Sequence, residues 1–351
     1  MNLPLKNPVL DQIRQQFQLA RQAGRARHRE IAEQLNISEG ELVAAHIAAP
    51  ESALMRTTRL RPDWYALLVA CAALQQVMAL TRNAACVHEK DGVYSSVTEQ
   101  ANVVAVLDEQ IDLQCRLQHW QLGFAVEESS EKGVQRSLQF YDAAGVAVHK
   151  LFLRPQSDAA AYGALVEWFA DPDQLPGITV QPCAATTAIH DVASFLVALD
   201  MVQDARELHS ALAQCQGGCL PYLTALSPET ARQVPADAAR RLLETAAAEA
   251  LEMLILTGNA GVTQAHSGPI DKVAVMGPWL NVLDPGFNLH LREDHIGSAW
   301  VLSQSGVHGL FSALALLNQT GELITLFASA TVTGQPEPKA WAEVIERLSK
   351  V

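Results

Sequence analysis

The chain has 351 residues, 49% of them hydrophobic and 18% charged, so it can bury a core and is not a disordered polymer. At about 150 residues per domain, that length leads us to expect roughly two domains. Its 25 basic and 38 acidic residues give a formal charge of −13, which repels phosphate backbones and anionic lipid and argues against a nucleic-acid partner.

The opening Met1-Asn2-Leu3-Pro4-Leu5-Lys6 lacks the apolar stretch of a secretory signal. Trp64 to Leu74, the longest apolar run, is about half of what a membrane crossing needs. A cytoplasmic protein without membrane insertion is therefore expected. Six cysteines with no Cys-x-x-Cys pair read as reduced core thiols, and Cys215-Gln216-Gly217-Gly218-Cys219 is their only close pair.

In chain order, helical spacing runs from about Asp11 to Ala49 and stops at Pro50. Within it, Arg29 to Leu42 has the look of a helix-turn-helix, with Ser38 as cap and Glu41 completing a capping box. The helix that would read bases, Glu39 to Ala45, is acidic and small, so a structural hairpin is expected. Pro62 to Leu80 reads as a second helix. From Cys86 to Leu153 the period changes, and Val103–Leu107, Phe124–Glu128, Ser137–Tyr141 and Val146–Leu153 read as antiparallel strands. Asp142-Ala143-Ala144-Gly145 is a hairpin turn, Ala159 to Ala170 a helix, and Asp171 to Gly177 a linker. Helices over Ile189 to Cys215 and Ala231 to Met253 then precede further strands. Segregated helices and strands predict an α+β class with a large antiparallel sheet.

A repeat organises these elements. Leu80-Thr81-Arg82-Asn83-Ala84 matches Leu256-Thr257-Gly258-Asn259-Ala260, an offset of 176 residues that also relates Gly92 to Gly268 and Leu107-Asp108 to Leu283-Asp284. One register held this long predicts a tandem duplication, with an N-terminal repeat over 1–176 and a C-terminal repeat over 177–351.

Phosphate loops, dinucleotide fingerprints, nucleophile elbows and His-Glu-x-x-His helices are all absent from the sequence. Gly258-Asn259-Ala260-Gly261 leads into a strand and is not a phosphate cradle. Of eleven histidines, His88, His190 and His266 stand beside repeat features or helix starts, and residue type alone does not choose among them.

The strand segments carry a further signal. Ala79-Leu80-Thr81-Arg82-Asn83 with Cys86-Val87-His88-Glu89-Lys90, Ser137 to Asp142 with Ala147-Val148-His149-Lys150, and Met276 to Asn281 running into Phe287 to Glu293 resemble the haemin-degrading factor family, the HemS-like cytoplasmic haem utilisation proteins. Gly334-Gln335-Pro336-Glu337 also fits, and the similarity runs from Arg29 to Trp341. The resemblance implies a duplicated α+β unit that binds haem after import and either hands it on or opens the ring. Haem or another porphyrin would be the ligand, with haem import machinery or a haem oxygenase as candidate partners and homodimerisation left open. Iron ligation in the family comes from a histidine in an Asp-Val-His-x-Phe-Phe helix. Here that helix reads Asp191-Val192-Ala193-Ser194-Phe195-Leu196, and the methyl group of Ala193 cannot coordinate iron.

His190 lies three residues earlier, which on a helix is the same face, and is a substitute ligand for a haem shifted by a turn. Gln114 replaces the family's distal arginine, with Arg116 two residues on. Asp200 and Met201 stand where cations would meet propionates, and the loop Ala330 to Gly334 lacks its cation. His88 sits where some family members place a second ligand, with Arg82 close by. The resemblance thus puts forward His88 and His190 as iron ligands and Arg82 and Arg116 as haem contacts. The combined losses also allow a second reading, a non-catalytic paralogue whose cleft takes another ligand or a protein.

Overall fold

A computed structural model describes residues 8–24, 27–131, 133–182, 189–306, 309–330 and 335–348. Two compact units emerge, the first from Met1–Leu80, Gly92–Glu109 and Gln114–Ala184, the second from Thr81–Asp91, Gln110–Leu113 and Ala185–Val351. Large antiparallel sheets flanked by helices make up both, the α+β class expected.

In the first unit, the helical spacing expected from Asp11 to Ala49 resolves into three helices, Pro8–Ala23, His28–Leu35 and Glu39–Ala44, the last two forming the expected hairpin. His28–Leu35 ends where Asn36 turns left-handed at φ 56°, and the next helix starts at the expected capping box. Ser38 Oγ accepts from Glu41 N at 3.2 Å, and Ser38 N donates to the Glu41 carboxylate at 2.8 Å. Phe17, Ile31 and Leu42 bury themselves against Phe124 and Tyr141 of the sheet. The strand order is Met55–Leu60, Leu122–Ser130, Gly133–Tyr141, Ala147–Leu153, Val77–Arg82. Asp142 to Gly145 forms the expected turn, with Gly145 N donating to Asp142 O at 3.0 Å.

The helix expected over Pro62 to Leu80 is corrected: it runs from Trp64 to Ala70, tightens into a 3-10 turn over Cys71–Leu74, and gives way to a strand at Val77. Gln75, at φ 59°, turns the chain out of the helix. Short apolar runs, such as those on either side of Gln75-Gln76, do not by their period separate a buried helix from a buried strand.

The second unit holds a six-stranded order, Ala231–Val234, Ile296–Gly306, Gly309–Asn318, Leu323–Ser329, Met253–Asn259, Val262–Gly268. It also holds Cys86–Gly92, Phe287–Arg292, Trp279–Asp284 and Val273–Met276 as successive antiparallel neighbours. Strand alternation sends Met253 and Ile255 into one core with Leu242, Leu289 and Trp341, and Leu254 and Leu256 into another with Phe195, Leu208 and Trp300. The expected helix Ile189 to Cys215 is two, Val192–Asp200 and Ala205–Ala213, because Asp204 caps the second by accepting from Arg206 N and Glu207 N. Pro235 separates the strand Ala231–Val234 from the helix Ala238–Glu249, where one helix was expected.

Repeat-equivalent residues meet inside this unit. Asn83 Nδ2 donates to Gly258 O at 3.1 Å, and Asn259 Nδ2 donates to Arg82 O at 2.9 Å. Lys90 Nζ donates to His266 Nδ1, 176 residues away, at 2.7 Å.

Candidate functional site

The helix Val192–Asp200 buries Phe195 and Leu199 yet leaves Val192, Leu196 and Val197 at 37%, 43% and 67% exposure. A short helix apolar on its outer face as well as its inner one marks a surface that takes a ligand or partner. Ala193 lies on that exposed face, and Asp200 and Met201 are also exposed at its end.

Where this helix ends, a cavity of about 560 Å³ opens in the second unit, lined among others by Gln203, Arg206, Phe311, Ser312, Gln335 and Glu337. Gly306 makes its wall feasible, because a Cβ there would stand 2.3 Å from the Gln203 carbonyl oxygen. Glu337 accepts from Ser312 N at 2.6 Å and Ser312 Oγ at 2.9 Å, tying the C-terminal segment to the sheet. Burial pushes its carboxyl above the usual carboxylate range, while the Ser312 donors pull the other way. Among the described lining residues Arg206 is the cation, and its Nη2 meets Asp112 Oδ2 at 2.5 Å. At this volume and with a mainly apolar wall, the cavity suits a small-molecule ligand.

His190 precedes the helix and does not belong to it, since Asp191 is the extended N-cap and accepts from Ser194 N at 2.7 Å. The helical-face argument that related His190 to position 193 is therefore corrected. The residue stands exposed on an extended segment, with Nδ1 2.8 Å from Gln216 Oε1. An amide oxygen only accepts, so Nδ1 carries the proton, and in the neutral ring the lone pair is then on Nε2.

His88 sits elsewhere in the second unit, on Cys86–Gly92 opposite Leu289, and is wholly buried. Neither of its ring nitrogens has a hydrogen-bond partner among the described residues. Burial, with His266 and Lys90 adding to it, holds the ring well below the ordinary imidazole range. Its ring meets the Phe287 edge-to-face at 5.1 Å, and His266 stacks on the same Phe287 at 3.8 Å. Burial also lowers Lys90 to about 8. Arg82 is half-buried, with Nε donating to Asn83 O at 3.3 Å. Arg116 and Gln114 belong to the first unit, and burial lowers the Arg116 pKa. So Arg82 ends the strand next to the one that carries His88, His190 stands just before the exposed helix, and the described cavity lining includes none of the four. Thr331 to Gly334, most of the loop expected to have lost its cation, lies outside the described residues.

The sequence reading missed Arg206. The cations expected directly after the helix, at Asp200 and Met201, are absent there, and Arg206 stands instead in the first turn of the next helix, beyond the break at Gln203–Asp204. Gln216 was also missed, because its partner lies 26 residues away and no spacing rule connects them.

The family model for the haemin-degrading HemS/ChuX domain matches this sequence twice, over residues 36–169 and 220–348. This chain belongs to that family. The double match confirms the tandem duplication. Among its relatives, the hemin transport protein HemS of Yersinia enterocolitica is 30% identical over 326 residues, 92% of either chain. HmuS of Yersinia pestis, also a hemin transport protein, is 29% identical across 91% of this chain and 92% of that one. The haem-bound form of PhuS, a haem-binding protein from Pseudomonas aeruginosa, superposes with a TM-score of 0.88 at 33% identity, covering 97% of this chain and 99% of that one. ChuS, an E. coli haem oxygenase, superposes at 0.81 with 26% identity over 91% and 95%. Among the described residues no helix is long and apolar enough to cross a membrane.

Proposed function

We propose that this chain binds haem in the cytoplasm and serves the trafficking or degradation of haem after import, with His190 as its iron ligand. The observation that carries the reading is the exposed His190, whose Nδ1 is engaged by Gln216 so that Nε2 is the nitrogen left to ligate, just before an apolar, exposed helix in a chain whose two halves both match a haemin family. Val192, Leu196 and Val197 offer apolar contact to the porphyrin face. Arg206 supplies a cation for a propionate by exchanging its Asp112 partner. Both sit in the C-terminal repeat, 177–351. If the ring is opened, the iron supplies that chemistry and the protein orients the ring and excludes water.

Haemin added to the purified chain should give a sharp Soret band saturating at one haem per chain, and His190→Ala should lose it. A broad band of adsorbed haemin, the same in both proteins, overturns the reading. Equal affinity for haemin and iron-free porphyrin would show that iron is not coordinated and would favour a cleft serving another ligand.

A further inference from the structure

We infer that Gln216 is the positioning residue for the haem-iron ligand: its side-chain oxygen holds His190 in the tautomer and orientation that present Nε2. This rests on the reading of His190 as ligand and goes beyond it, because it assigns a role to the loop between Cys215 and Cys219.

A neutral imidazole binds iron through one nitrogen, and the hydrogen bond made by the other decides which nitrogen that is. Here Nδ1 of His190 is 2.8 Å from Gln216 Oε1. The nearest carboxylate in the chain, Asp191, is engaged as the helix cap through Ser194 N. Gln216 is placed by its backbone as well as by chance of surface packing. Its N–H donates to Ile189 O at 2.9 Å, Ile189 N donates to Gln214 O at 3.3 Å, and Ile189 bridges Cys215 in parallel. The Tyr222 hydroxyl lies 3.3 Å from Ile189 O and 3.4 Å from Gln216 O, clamping the two segments that carry the histidine and its partner.

The glycines after Gln216 complete the loop. Gly217 and Gly218 have φ of 72° and 89°, and a Cβ at Gly218 would stand 2.6 Å from the backbone of Gly321. Cys219 N then donates to Gly321 O at 2.7 Å, anchoring the loop to the sheet. The flanking thiols are buried, and burial raises Cys215 to about 12, so they serve as packing and not as redox groups.

Histidine-selective nitrogen NMR of the haem-free chain, with the ring in its neutral form, should show the Nδ1–H tautomer at His190. In Gln216→Leu the ring should shift toward the Nε2–H form. Haemin affinity of Gln216→Leu should fall about 10-fold or more, the usual cost of losing such a partner. Gln216→Glu, which keeps an acceptor and adds charge, should restore the affinity and move the haem midpoint potential negative. Gln216 is exposed, so these variants should fold as the parent does, which circular dichroism checks. An Nε2–H tautomer in the parent, or a Gln216→Leu protein with unchanged tautomer and unchanged affinity, overturns the assignment of Gln216 alone. Should His190→Ala keep the full Soret band, the ligand reading falls and the role of Gln216 toward iron falls with it.

Discussion

At neutral pH His88 is an uncharged ring whose two nitrogens meet no donor or acceptor among the described residues. A buried polar group in that condition costs about 1–3 kcal/mol. His88→Leu, close in volume and apolar, should therefore raise the unfolding free energy by about 1–2 kcal/mol in urea titrations. The haemin spectrum should not change. A lost Soret band in that variant would make His88 a ligand and would require the strand pair around Leu289 to open. His190 presents the opposite environment: an exposed ring, one nitrogen occupied, the other available. Both histidines were visible as residues, but a sequence does not show which one faces solvent. Val87 and Cys86 are buried along with His88, so the alternation that would have marked an outward face is missing.

The helix Val192–Asp200 and its successor Ala205–Ala213 carry the proposed ligand surface between them. Asp204 caps the second helix, and replacing a capping Asp by Ala costs about 1 kcal/mol. The same cap orients the first turn in which Arg206 stands. Arg206→Ala should weaken haemin binding about 10-fold, since one charge-assisted bond contributes roughly 1.5–3 kcal/mol and part of that is already offset by losing Asp112. The measurement is a haemin titration at two salt concentrations, with the gap between parent and variant narrowing at high salt. An unchanged affinity would place the propionates away from the cavity. Strands and turns with strict punctuation, such as Val103–Leu107 and the Asp142–Gly145 turn, were readable because period and Gly agree. The break at Gln203–Asp204 was not, because both flanks are good helix and only a capping side chain divides them. The Pro62 to Leu80 expectation failed for a related reason: only Gln75-Gln76 divides the two apolar runs, and glutamine, itself a good helix former, does not mark a change of period.

Across the whole molecule, buried histidines make the fold sensitive to acid. His46 is lowered to about 4 and His149 to about 3 in the first unit, His266 to about 3 in the second, and His88 well below its ordinary value, with burial the largest cause in each. The sign follows from comparing folded and unfolded rings. An unfolded histidine titrates near 6.5, so above that pH neither state binds the proton and the four contribute no pH dependence. As pH falls below 6.5 the unfolded chain takes up protons that the folded chain refuses, and stability drops until the folded values are reached. At pH 5 His46, His149 and His266 each cost about 2 kcal/mol by this linkage, and His88 acts in the same direction. Four together are comparable to the 5–15 kcal/mol that holds an ordinary domain. The urea midpoint should therefore fall steeply from pH 7 to pH 5, and the chain should unfold near or below pH 5. Glu128, held low by His28 and Arg21 against the effect of its own burial, adds a loss in the same direction at lower pH. His88→Leu should flatten the slope by about one proton. The net charge of −13 also shrinks toward the isoelectric point near 5.3, so dilute protein is needed to separate unfolding from precipitation. A urea midpoint that stays constant between pH 7 and pH 5 would show that these rings take up protons in the folded chain.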